Sequence, residues 1–392
     1  MTRELTVAPS VYPYPTAHLG IIGGGQLARM MVVAAQRLGC HTTVLDARPQ
    51  SPAGQLATHE RVGGFHDPAA LTDLVRRVTH TTFDLEDIDA QTLIELSAQG
   101  HIVLPDPGLL AVVQDKFVQK SRLRQAGIPT AEFVDAPAPD AAAFRHFGYP
   151  LVQKLRRGGY DGRGVVVMAG PQDVVRRLDA PSLIERFIPA QMEIAVMAAR
   201  GADGRIAVYP VVEMVFDAER NVLDKLLAPA RITASTRAAA QALAARAVTA
   251  LGGVGVFGVE MFLTGDGALL VNEISPRTHN SGHYTLEACV TDQFEQHLRA
   301  VLGLPLGSTQ LLQSAVMLNL LGEPGFGGAP VVEGLAEVLT LPGVAVHLYG
   351  KDATRAHRKM GHVTVLDDTV DGALAKAEQV RQTIRVIGDR LL

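Results

Sequence analysis

The feature that most constrains the fold of this sequence is a pair of apolar segments, each carrying one glutamate, separated by a short polar turn. The first is Gly258-Val-Glu-Met-Phe262, the second is Leu269-Leu-Val-Asn-Glu-Ile-Ser275, and Thr264-Gly-Asp-Gly267 lies between them. Apolar segments of this length around a glycine-containing turn are typical of an antiparallel β-hairpin. The sequence therefore predicts two neighbouring strands that bury one face and present glutamates on the other.

The register of this hairpin determines how the two glutamates face each other. If the turn is a four-residue loop, Leu263 pairs with Ala268, and Glu273 lies opposite Gly258, one diagonal step from Glu260. Diagonal partners are roughly 7–8 Å apart at the backbone. Two unpaired carboxylates on one face repel each other, so we expect them to bind a divalent cation, and oxygen ligands favour Mg²⁺.

The opposite face of the hairpin is expected to lie in a core. The same register turns Asn272 away from Glu273. The apolar side chains of this face are Phe257, Val259, Met261, Leu263, Leu270 and Ile274.

Cationic and hydrogen-bonding side chains follow the second strand in quick succession. They are Arg277, His279, Asn280, Ser281 and His283. A strand-end carboxylate followed by such groups suits a metal-bridged phosphate better than it suits a core.

Length and composition limit the class of protein. A chain of 392 residues is too long for one core, so two or three domains are expected. The net charge of −4 argues against nucleic acid or an anionic membrane as the main partner, because both select basic surfaces. Cys40 and Cys289 lack metal-type spacing and fit a reducing cytosol. No signal peptide or membrane span is apparent, so we expect a cytoplasmic protein, with residues 1–16 as a loose tail.

The N-terminal segment predicts a doubly wound parallel sheet over residues 17–107. An apolar strand enters Gly23-Gly-Gly25, a helix follows, a second strand ends at Asp46, and two further βα units alternate. The spacing Gly23-x-Gly25-x-x-Ala28 with Asp46 matches most of the dinucleotide-binding fingerprint. It fits a tight turn, or a loop that binds another anion, as well. Glu86, near a later strand end, is a candidate for binding a hydroxyl or amine, or a solvated acid.

A second glycine-rich segment predicts phosphate contact. It follows a strand that ends at Lys154, and Gly158-Gly-Tyr-Asp-Gly-Arg-Gly164 contains four glycines in seven positions. The N–H groups of such a loop can approach phosphate oxygens, while Arg156 and Arg157 add positive charge. It is not a Walker loop, because no Gly-Lys-Ser/Thr opens a helix.

The C-terminal part predicts a smaller β-rich module with a polar connector between strands. The connector contains Lys351, Arg355, Arg358 and Lys359. Such cations are either solvated or hold a phosphomonoester.

Together these motifs resemble the ATP-grasp superfamily and, within it, the N5-carboxyaminoimidazole ribonucleotide synthases of purine biosynthesis. The resemblance runs from about Gly20 to Leu366. It rests on Gly23–Met31, Gly158–Gly164, Asn272–His283 and Arg358–His362. The implied fold is multidomain, α/β and α+β. It has a Rossmann-like pre-ATP-grasp domain at 17–107, an ATP-grasp domain at 108–304 with a mobile lid at about 145–200, and a C-terminal domain at 305–392.

The resemblance implies an ATP-dependent carbon–nitrogen ligase. Bicarbonate is phosphorylated to carboxyphosphate, and the carboxyl group passes to the amine of 5-aminoimidazole ribonucleotide (AIR), with release of ADP and phosphate. The expected partners are ATP, bicarbonate and AIR, without nucleic acid or membrane. Mg²⁺ is the expected cofactor, and a homodimer is the expected assembly.

The resemblance also assigns residues position by position. Mg²⁺ would be held by Glu260 and Glu273. ATP would be bound by Lys116, Lys154, Gly159, Tyr160, Asp161, Gly162, Arg163, Gly164, Val165, Glu185, Arg186, Phe187, Ile188, Glu193, Asn272 and Glu273. AIR would be bound by Gln26, Glu86, Tyr160, Asp161, Arg277, His279, Asn280, Ser281, Lys351, Arg358 and Lys359. The catalytic candidates are Asp161, which would orient or deprotonate the amine, Arg277, which would stabilise carboxyphosphate, and His279.

The chain departs from the family pattern at four positions. Lys116 stands where Arg is usual, Asp84 replaces a common Glu, and Met214 and Phe216 stand where Asn and His are frequent.

Three alternatives remain open. One is another ATP-grasp ligase, such as a formate-dependent glycinamide ribonucleotide formyltransferase; the others are a nicotinamide-dependent dehydrogenase and a non-catalytic nucleotide-binding module. The acid pair and the second glycine-rich loop weigh against the dehydrogenase, because hydride transfer needs neither a metal pair nor a phosphate lid.

Overall fold

The computed structural model describes residues 17–159, 164–217 and 222–392. Its N-terminal elements are β1 (His18–Ile22), α1 (Gln26–Arg37), β2 (His41–Asp46), β3 (His59–Val62), α2 (Pro68–Arg77), β4 (His80–Phe83), α3 (Ala90–Ala98) and β5 (Ile102–Val103). The strands form one sheet in the order β3-β2-β1-β4-β5, and every neighbouring pair is parallel. The predicted doubly wound sheet is confirmed.

Two capped helices lead from this sheet into the middle of the chain. They are α4 (Pro107–Val113) and α5 (Lys116–Gln125). Asp106 and Asp115 each accept backbone N–H groups of the first turn, and such a cap contributes about 1 kcal/mol. Asp115 also lies 2.6 Å from Arg156 Nη2, so the start of α5 is tied to the segment that enters the second glycine-rich loop.

The strands on either side of that loop belong to a separate antiparallel sheet. The elements are β6 (Phe133–Ala136), α6 (Ala141–Phe147), β7 (Leu151–Leu155), β8 (Val165–Met168), a 3-10 helix (Pro171–Arg176) and β9 (Ser182–Arg186), with strand order β6-β9-β7-β8. Phe144, Leu151 and Ile184 belong to an apolar cluster of this unit alone. The sheet therefore has an apolar core of its own, and its predicted role as a mobile lid stays a prediction.

The largest sheet crosses from the middle of the chain into its C-terminal part. The middle elements are β10 (Ala190–Arg200), β11 (Ile206–Val208), β12 (Val212–Asp217), β13 (Val222–Ala228), α7 (Ala234–Leu251), β14 (Gly255–Thr264), β15 (Leu269–Ser275), a 3-10 turn (Asn280–Gly282), α8 (Thr285–Ala288) and α9 (Gln293–Val301). The last elements are β16 (Ser314–Leu321), β17 (Phe326–Glu333), α10 (Leu335–Val338), β18 (Val344–Leu348), β19 (Lys359–Asp367), α11 (Val370–Thr383) and β20 (Arg385–Leu391). None of the described helices is long and apolar enough to cross a membrane.

The nine strands of this sheet run β15-β14-β10-β12-β13-β16-β19-β18, with β11 beside β10, while β17 and β20 form a separate pair. The pairing of β13 with β16 makes the C-terminal strands continuous with the middle ones. The proposed domain boundaries, at residues 107 and 304, stay predictions.

Helix α7 supports the glutamate-bearing hairpin from behind. Ala240, Ala244 and Ala247 are buried in one cluster with Phe257 and Val259 of β14. Small side chains let the helix approach the sheet closely, and each large apolar side chain buried there stabilises the fold by roughly 1.5–3 kcal/mol. One face of the hairpin is thus fixed in the core, which leaves the glutamate face for other contacts.

The register of the hairpin differs from the predicted one. Glu260 pairs directly with Glu273, and the register then shifts, so that Met261 pairs with Val271. Asn272 is therefore an extra residue on its strand, a β-bulge that a regular four-residue-loop register does not contain. The two carboxylates are closer neighbours than the diagonal arrangement predicted.

Two expectations that depended on the regular register are wrong. Gly258 lies opposite Ser275 rather than Glu273. Val271 rather than Leu270 belongs to the core behind the hairpin. The turn is one residue longer than predicted, so that Leu263 pairs with Leu269 rather than Ala268, and this shift puts Val271 in the core in place of Leu270. The bulge adds a second shift of one residue, and the two together move the partner of Gly258 from Glu273 to Ser275.

The N-terminal glycine loop is occupied by side chains of its own sheet. Asp84 Oδ2 accepts hydrogen bonds from Gly25 N (3.1 Å) and Ala28 N (3.2 Å), and Asp46 Oδ2 accepts one from Gly24 N (2.9 Å). Burial raises the pKa of Asp84 to about 6, although the hydrogen bond from Ala28 acts in the opposite direction. The N–H groups that would bind a dinucleotide pyrophosphate are therefore already used.

We predict that G23A destabilises the protein more than G100A does. Both glycines have a φ of +98°, which costs about 1 kcal/mol or more for a residue with a side chain. A β-carbon at Gly23 would lie 1.7 Å from Asp84 Oδ1, whereas one at Gly100 would meet no atom within 4 Å. Because Asp84 would have to move, G23A should lose roughly 2–4 kcal/mol, as measured by chemical denaturation. Equal losses would contradict the occupied-loop structure.

Candidate active site

The two glutamates of the hairpin form the centre of the candidate site. Burial and the negative charges of Glu273 and Glu193 raise the pKa of Glu260. Lys116 Nζ lies 2.5 Å from Glu273 Oε2, and its charge lowers the pKa of Glu273. Burial also raises the pKa of Glu193, on the adjacent β10. With both members of the pair ionised, the cluster would carry more negative charge than Lys116 alone neutralises.

The donors of this cluster fit a Mg²⁺ ion that arrives with a phosphate. Carboxylate oxygens are suitable ligands, and Mg²⁺ in phosphate-processing sites commonly uses one or two carboxylates together with water and phosphate oxygens. Across the described residues, no three or more His, Cys, Asp or Glu side chains are grouped to hold a metal ion. The arrangement therefore suits a shared cation rather than a metal enclosed by protein ligands.

Helix α5 presents three polar side chains to this centre. Lys116, Gln119 and Lys120 are at positions i, i+3 and i+4, which lie on one helix face. Gln119 donates to Ile274 O at 2.8 Å and accepts from Ile274 N at 3.1 Å, so its amide docks the helix on the edge strand β15. Lys120 Nζ lies 2.8 Å from Glu185 Oε1. From the sequence, a role was assigned only to Lys116, although the helical spacing was a signal for the other two.

Lys154, on β7, connects the sheet of the glycine-rich loop to the hairpin. Its Nζ lies 2.9 Å from Glu185 Oε2 and donates to Asn272 Oδ1 at 2.8 Å. The observed register explains this contact: Val271 packs in the core, so the next residue, Asn272, lies on the glutamate face of the strand. The expectation that Asn272 points away from the glutamates was therefore wrong.

The turn after β15 brings His279 to the acid pair. His279 Nε2 lies 3.5 Å from Glu260 Oε1, and its Nδ1 lies 2.8 Å from the hydroxyl of the fully buried Ser281. Asn280 Nδ2 donates to Asn319 Oδ1 at 3.2 Å, which links this turn to β16. Of these predicted acceptor residues, His279 thus lies beside a predicted metal ligand, Ser281 is hydrogen-bonded to His279, and Asn280 contacts β16.

Arg277 joins the hairpin to the N-terminal sheet. Its Nε lies 2.8 Å from Glu86 Oε1, and both side chains are largely buried. The charge of Glu86 raises the pKa of Arg277 against the effect of burial. The two residues, which are far apart in sequence, therefore form one ion pair at the junction of two sheets.

The predicted phosphate residues of the C-terminal connector lie together. Lys351 Nζ donates to Lys359 O at 2.6 Å, and Arg358 donates to the carbonyl of Ala353. Both side chains are held by backbone carbonyl groups, which fixes the cations within one short segment. Such an arrangement can present several N–H donors to a phosphomonoester.

A further cation at this end of the site was missed from the sequence. Burial and the positive charges of Arg48 and Arg355 lower the pKa of Arg358, with Asp352 opposing. Arg48 follows β2, and Gln55 of the same connection donates to Gly350 O at 2.8 Å. The N-terminal sheet therefore contributes positive charge here through tertiary packing, for which the sequence carries no local signal.

Several predicted residues lie in or next to the second glycine-rich loop, or at element ends. Tyr160, Asp161, Gly162 and Arg163 lie outside the described residues. Their flanking residues Gly159, Gly164 and Val165 are described, and Val165 pairs with Lys154.

Gln26 is the half-buried first residue of α1. Arg186, Phe187 and Ile188 lie at the end of β9, where Phe187 is 36% exposed and presents a flat apolar surface.

The structure shows the contacts of the four residues at which the chain departs from the family pattern. Lys116 pairs with Glu273, and Asp84 fills the N-terminal glycine loop. Met214 and Phe216 pack in an apolar cluster under the large sheet.

The raised pKa of Glu260 predicts a pH-dependent stability in metal-free buffer. Its ordinary value is 4.5, so the native state retains a proton that the unfolded state loses as the pH rises above that value. Stability should fall as the pH rises from the unfolded pKa of Glu260 to its native pKa, by about 1.4 kcal/mol for each pH unit between them.

E260Q should remove this loss, so the variant should be more stable than the wild type at pH 8 and closer to it at pH 5. Urea denaturation with a chelator present measures both, and E337Q controls for loss of an exposed carboxylate. A pH profile unchanged by E260Q would contradict the buried acid pair.

Models of three domain families match the chain in succession. The ribonucleotide synthetase preATP-grasp domain matches residues 16–114, and the ATP-grasp domain matches 121–294. The phosphoribosylaminoimidazole carboxylase C-terminal domain matches 315–376. This domain order and the parallel N-terminal sheet, whose glycine loop is filled by Asp84 and Asp46, leave no support for the dehydrogenase alternative.

Named relatives agree with these domains. A phosphoribosylaminoimidazole carboxylase of Schizosaccharomyces pombe is 43% identical over 90% of this chain, which spans 65% of that protein. An N5-carboxyaminoimidazole ribonucleotide synthase of Brucella melitensis is 39% identical, with 89% of this chain and 96% of the relative covered.

Solved structures give the same result. The N5-carboxyaminoimidazole ribonucleotide synthetase of Thermotoga maritima is 47% identical, with a TM-score of 0.88 over 95% of this chain and 100% of that one. The synthase of Aspergillus clavatus in complex with ADP and 5-aminoimidazole ribonucleotide is 34% identical, with a TM-score of 0.85 over 93% and 98%. On these similarities, the chain belongs to the N5-carboxyaminoimidazole ribonucleotide synthase family of ATP-grasp ligases.

Proposed function

We propose that this chain carboxylates AIR with bicarbonate at the expense of ATP, giving N5-carboxyaminoimidazole ribonucleotide, ADP and phosphate. The observation that carries the proposal is the direct pairing of Glu260 with Glu273. Lys116 pairs with Glu273, Lys154 donates to the adjacent Asn272, and Arg277 is close enough for the charge of Glu273 to act on it. This is an anion-activating centre between a phosphate-binding side and an acceptor side. The Aspergillus clavatus relative, with both ADP and AIR bound, supports the two ligands.

The proposed reaction has two steps. A bicarbonate oxygen attacks the γ-phosphorus of ATP, the bond to the bridging oxygen breaks, and ADP leaves. The amine of AIR then attacks the carboxyl carbon of carboxyphosphate. The bond between that carbon and the oxygen bridging to phosphorus breaks, phosphate leaves, and the nitrogen loses a proton. Bicarbonate needs the first step because it is a poor electrophile without a leaving group.

Phosphoryl transfer depends mainly on positioning and on neutralising charge. Mg²⁺, when held by Glu260 and Glu273, would neutralise charge on the phosphate oxygens. Lys116 and Lys154, which contact Glu273 and Asn272, would add positive charge around the same oxygens. Glu193 is the candidate for the ribose of ATP.

The acceptor side uses residues from three parts of the chain. Arg277 would stabilise carboxyphosphate, and Glu86, its ion-pair partner, would bind the ribose of AIR. His279 is placed beside Glu260 and would orient the acceptor at the acid pair. Lys351 and Arg358 would hold the phosphate of AIR. Exclusion of water would protect the labile acyl phosphate.

The family resemblance also supports a homodimer in the cytoplasm, and light scattering of the purified protein tests the assembly.

Measurement of ADP release tests the function. With Mg²⁺, ATP and AIR present, release should require bicarbonate and should be accompanied by loss of AIR. Omitting AIR or Mg²⁺ should lower the rate at least about a hundredfold if both are needed to complete the site. The formate-dependent ligase is the alternative to exclude, so turnover with formate and glycinamide ribonucleotide, independent of bicarbonate, would overturn the proposal.

A second prediction concerns the acceptor phosphate. R358A should raise KM for AIR about tenfold or more, because a charge-assisted phosphate contact is worth about 1.5–3 kcal/mol, and should leave KM for ATP near its original value. R205A removes an arginine that is 84% exposed in a turn and should change neither constant. Equal increases in both KM values for R358A would contradict a role at the AIR phosphate.

A further inference from the structure

A buried charge triad underlies the phosphate-binding side of the site. Lys120 Nζ lies 2.8 Å from Glu185 Oε1, and Lys154 Nζ lies 2.9 Å from Glu185 Oε2. Side-chain exposure is 2% for Lys120, 3% for Glu185 and 12% for Lys154. One carboxylate is therefore shared by two ammonium groups in a place that water barely reaches.

The two lysines have different freedom to bind a ligand. Lys154 uses Glu185 and Asn272 as acceptors, which leaves one of its three N–H groups for another partner. Lys120 is nearly inaccessible, stands over the Phe133 ring and lies 3.4 Å from Asn272 O. Lys154 is therefore the member that a phosphate can reach, because its side chain is 12% exposed whereas that of Lys120 is 2% exposed.

The charge balance of the triad explains why a second buried lysine is present. Glu185 and Lys154 alone would form a neutral pair, and the carboxylate would cancel most of the field that Lys154 presents to an anion. With Lys120 included, the triad has a net charge of +1. At 2.8 Å, the contact between Lys120 Nζ and Glu185 Oε1 is a close ion pair.

We propose that Lys120 is a positioning residue of the ATP site, which neutralises Glu185 so that the charge of Lys154 stays available to the ATP phosphates. The inference rests on the proposed function, because it takes ATP as the ligand of Lys154. It adds a residue that does not itself contact the nucleotide. It also gives Glu185 a role through its side chain, as the acceptor that fixes Lys154 beside Asn272.

A packing role makes the opposite prediction for the same residue. Replacing a buried ion pair with apolar groups is often neutral for stability, whereas removal of one partner leaves a charge uncompensated. If Lys120 only fills space beside Phe133, Met at this position should be tolerated, because its length is similar. If Lys120 balances charge, Met should impair binding of ATP, and removal of the negative charge of Glu185 should restore it.

The test is calorimetric titration of the full-length protein with Mg-ATP, for the wild type, K120M and K120M/E185Q. K120M should raise Kd about tenfold or more, and K120M/E185Q, whose triad again carries +1, should return to within about threefold of the wild type. Binding of adenosine, which lacks phosphate, should change little in either variant. The melting temperature of each variant is measured alongside.

The outcomes separate the two levels of the proposal. A wild type that does not bind Mg-ATP overturns the proposed function itself. A wild type that binds, with K120M of equal affinity, overturns the role of Lys120. If K120M does not fold, the double variant decides: affinity near the wild type upholds charge balance, and a loss of tenfold or more overturns it.

Discussion

Repulsion between the carboxylates of Glu260 and Glu273 is the constraint on which the rest of the site depends. They are direct cross-strand neighbours, and burial makes their interaction stronger than it would be in water. Lys116 stabilises the charge of Glu273, while the pKa of Glu260 remains raised. The hairpin is held in this arrangement by an apolar core on its other face. We propose that a divalent cation bound with ATP phosphate would remove this repulsion, so that binding of Mg-ATP would stabilise the apoprotein.

Three elements place positive charge around this pair. Helix α5 brings Lys116 to Glu273, and strand β7 brings Lys154 to Asn272. The turn after β15 brings Arg277 to Glu86, which follows β4 of the N-terminal sheet. The cations of the C-terminal connector lie between β18 and β19, where Gln55 of the N-terminal part donates to Gly350 O. We propose that the two lysines serve the phosphoryl donor and that Arg277 and the connector serve the acceptor nucleotide.

Sequence patterns predicted what local periodicity determines. The parallel N-terminal sheet, the hairpin and the clustering of His279 with the acid pair follow from strand alternation and residue order. The bulge at Asn272 was missed, because a single inserted residue leaves the apolar pattern almost unchanged.

The environments of Asp84, Lys120 and Arg48 were missed for a different reason, since each depends on contacts between segments distant in sequence. The occupied glycine loop shows the consequence: the fingerprint was real as a pattern, but two aspartates fill its anion site.

The most direct test of the central claim is anomalous diffraction from crystals grown with Mn²⁺ and ADP. The account predicts manganese within about 2–2.5 Å of an oxygen of both Glu260 and Glu273. Manganese bound to the nucleotide but to neither glutamate would contradict it.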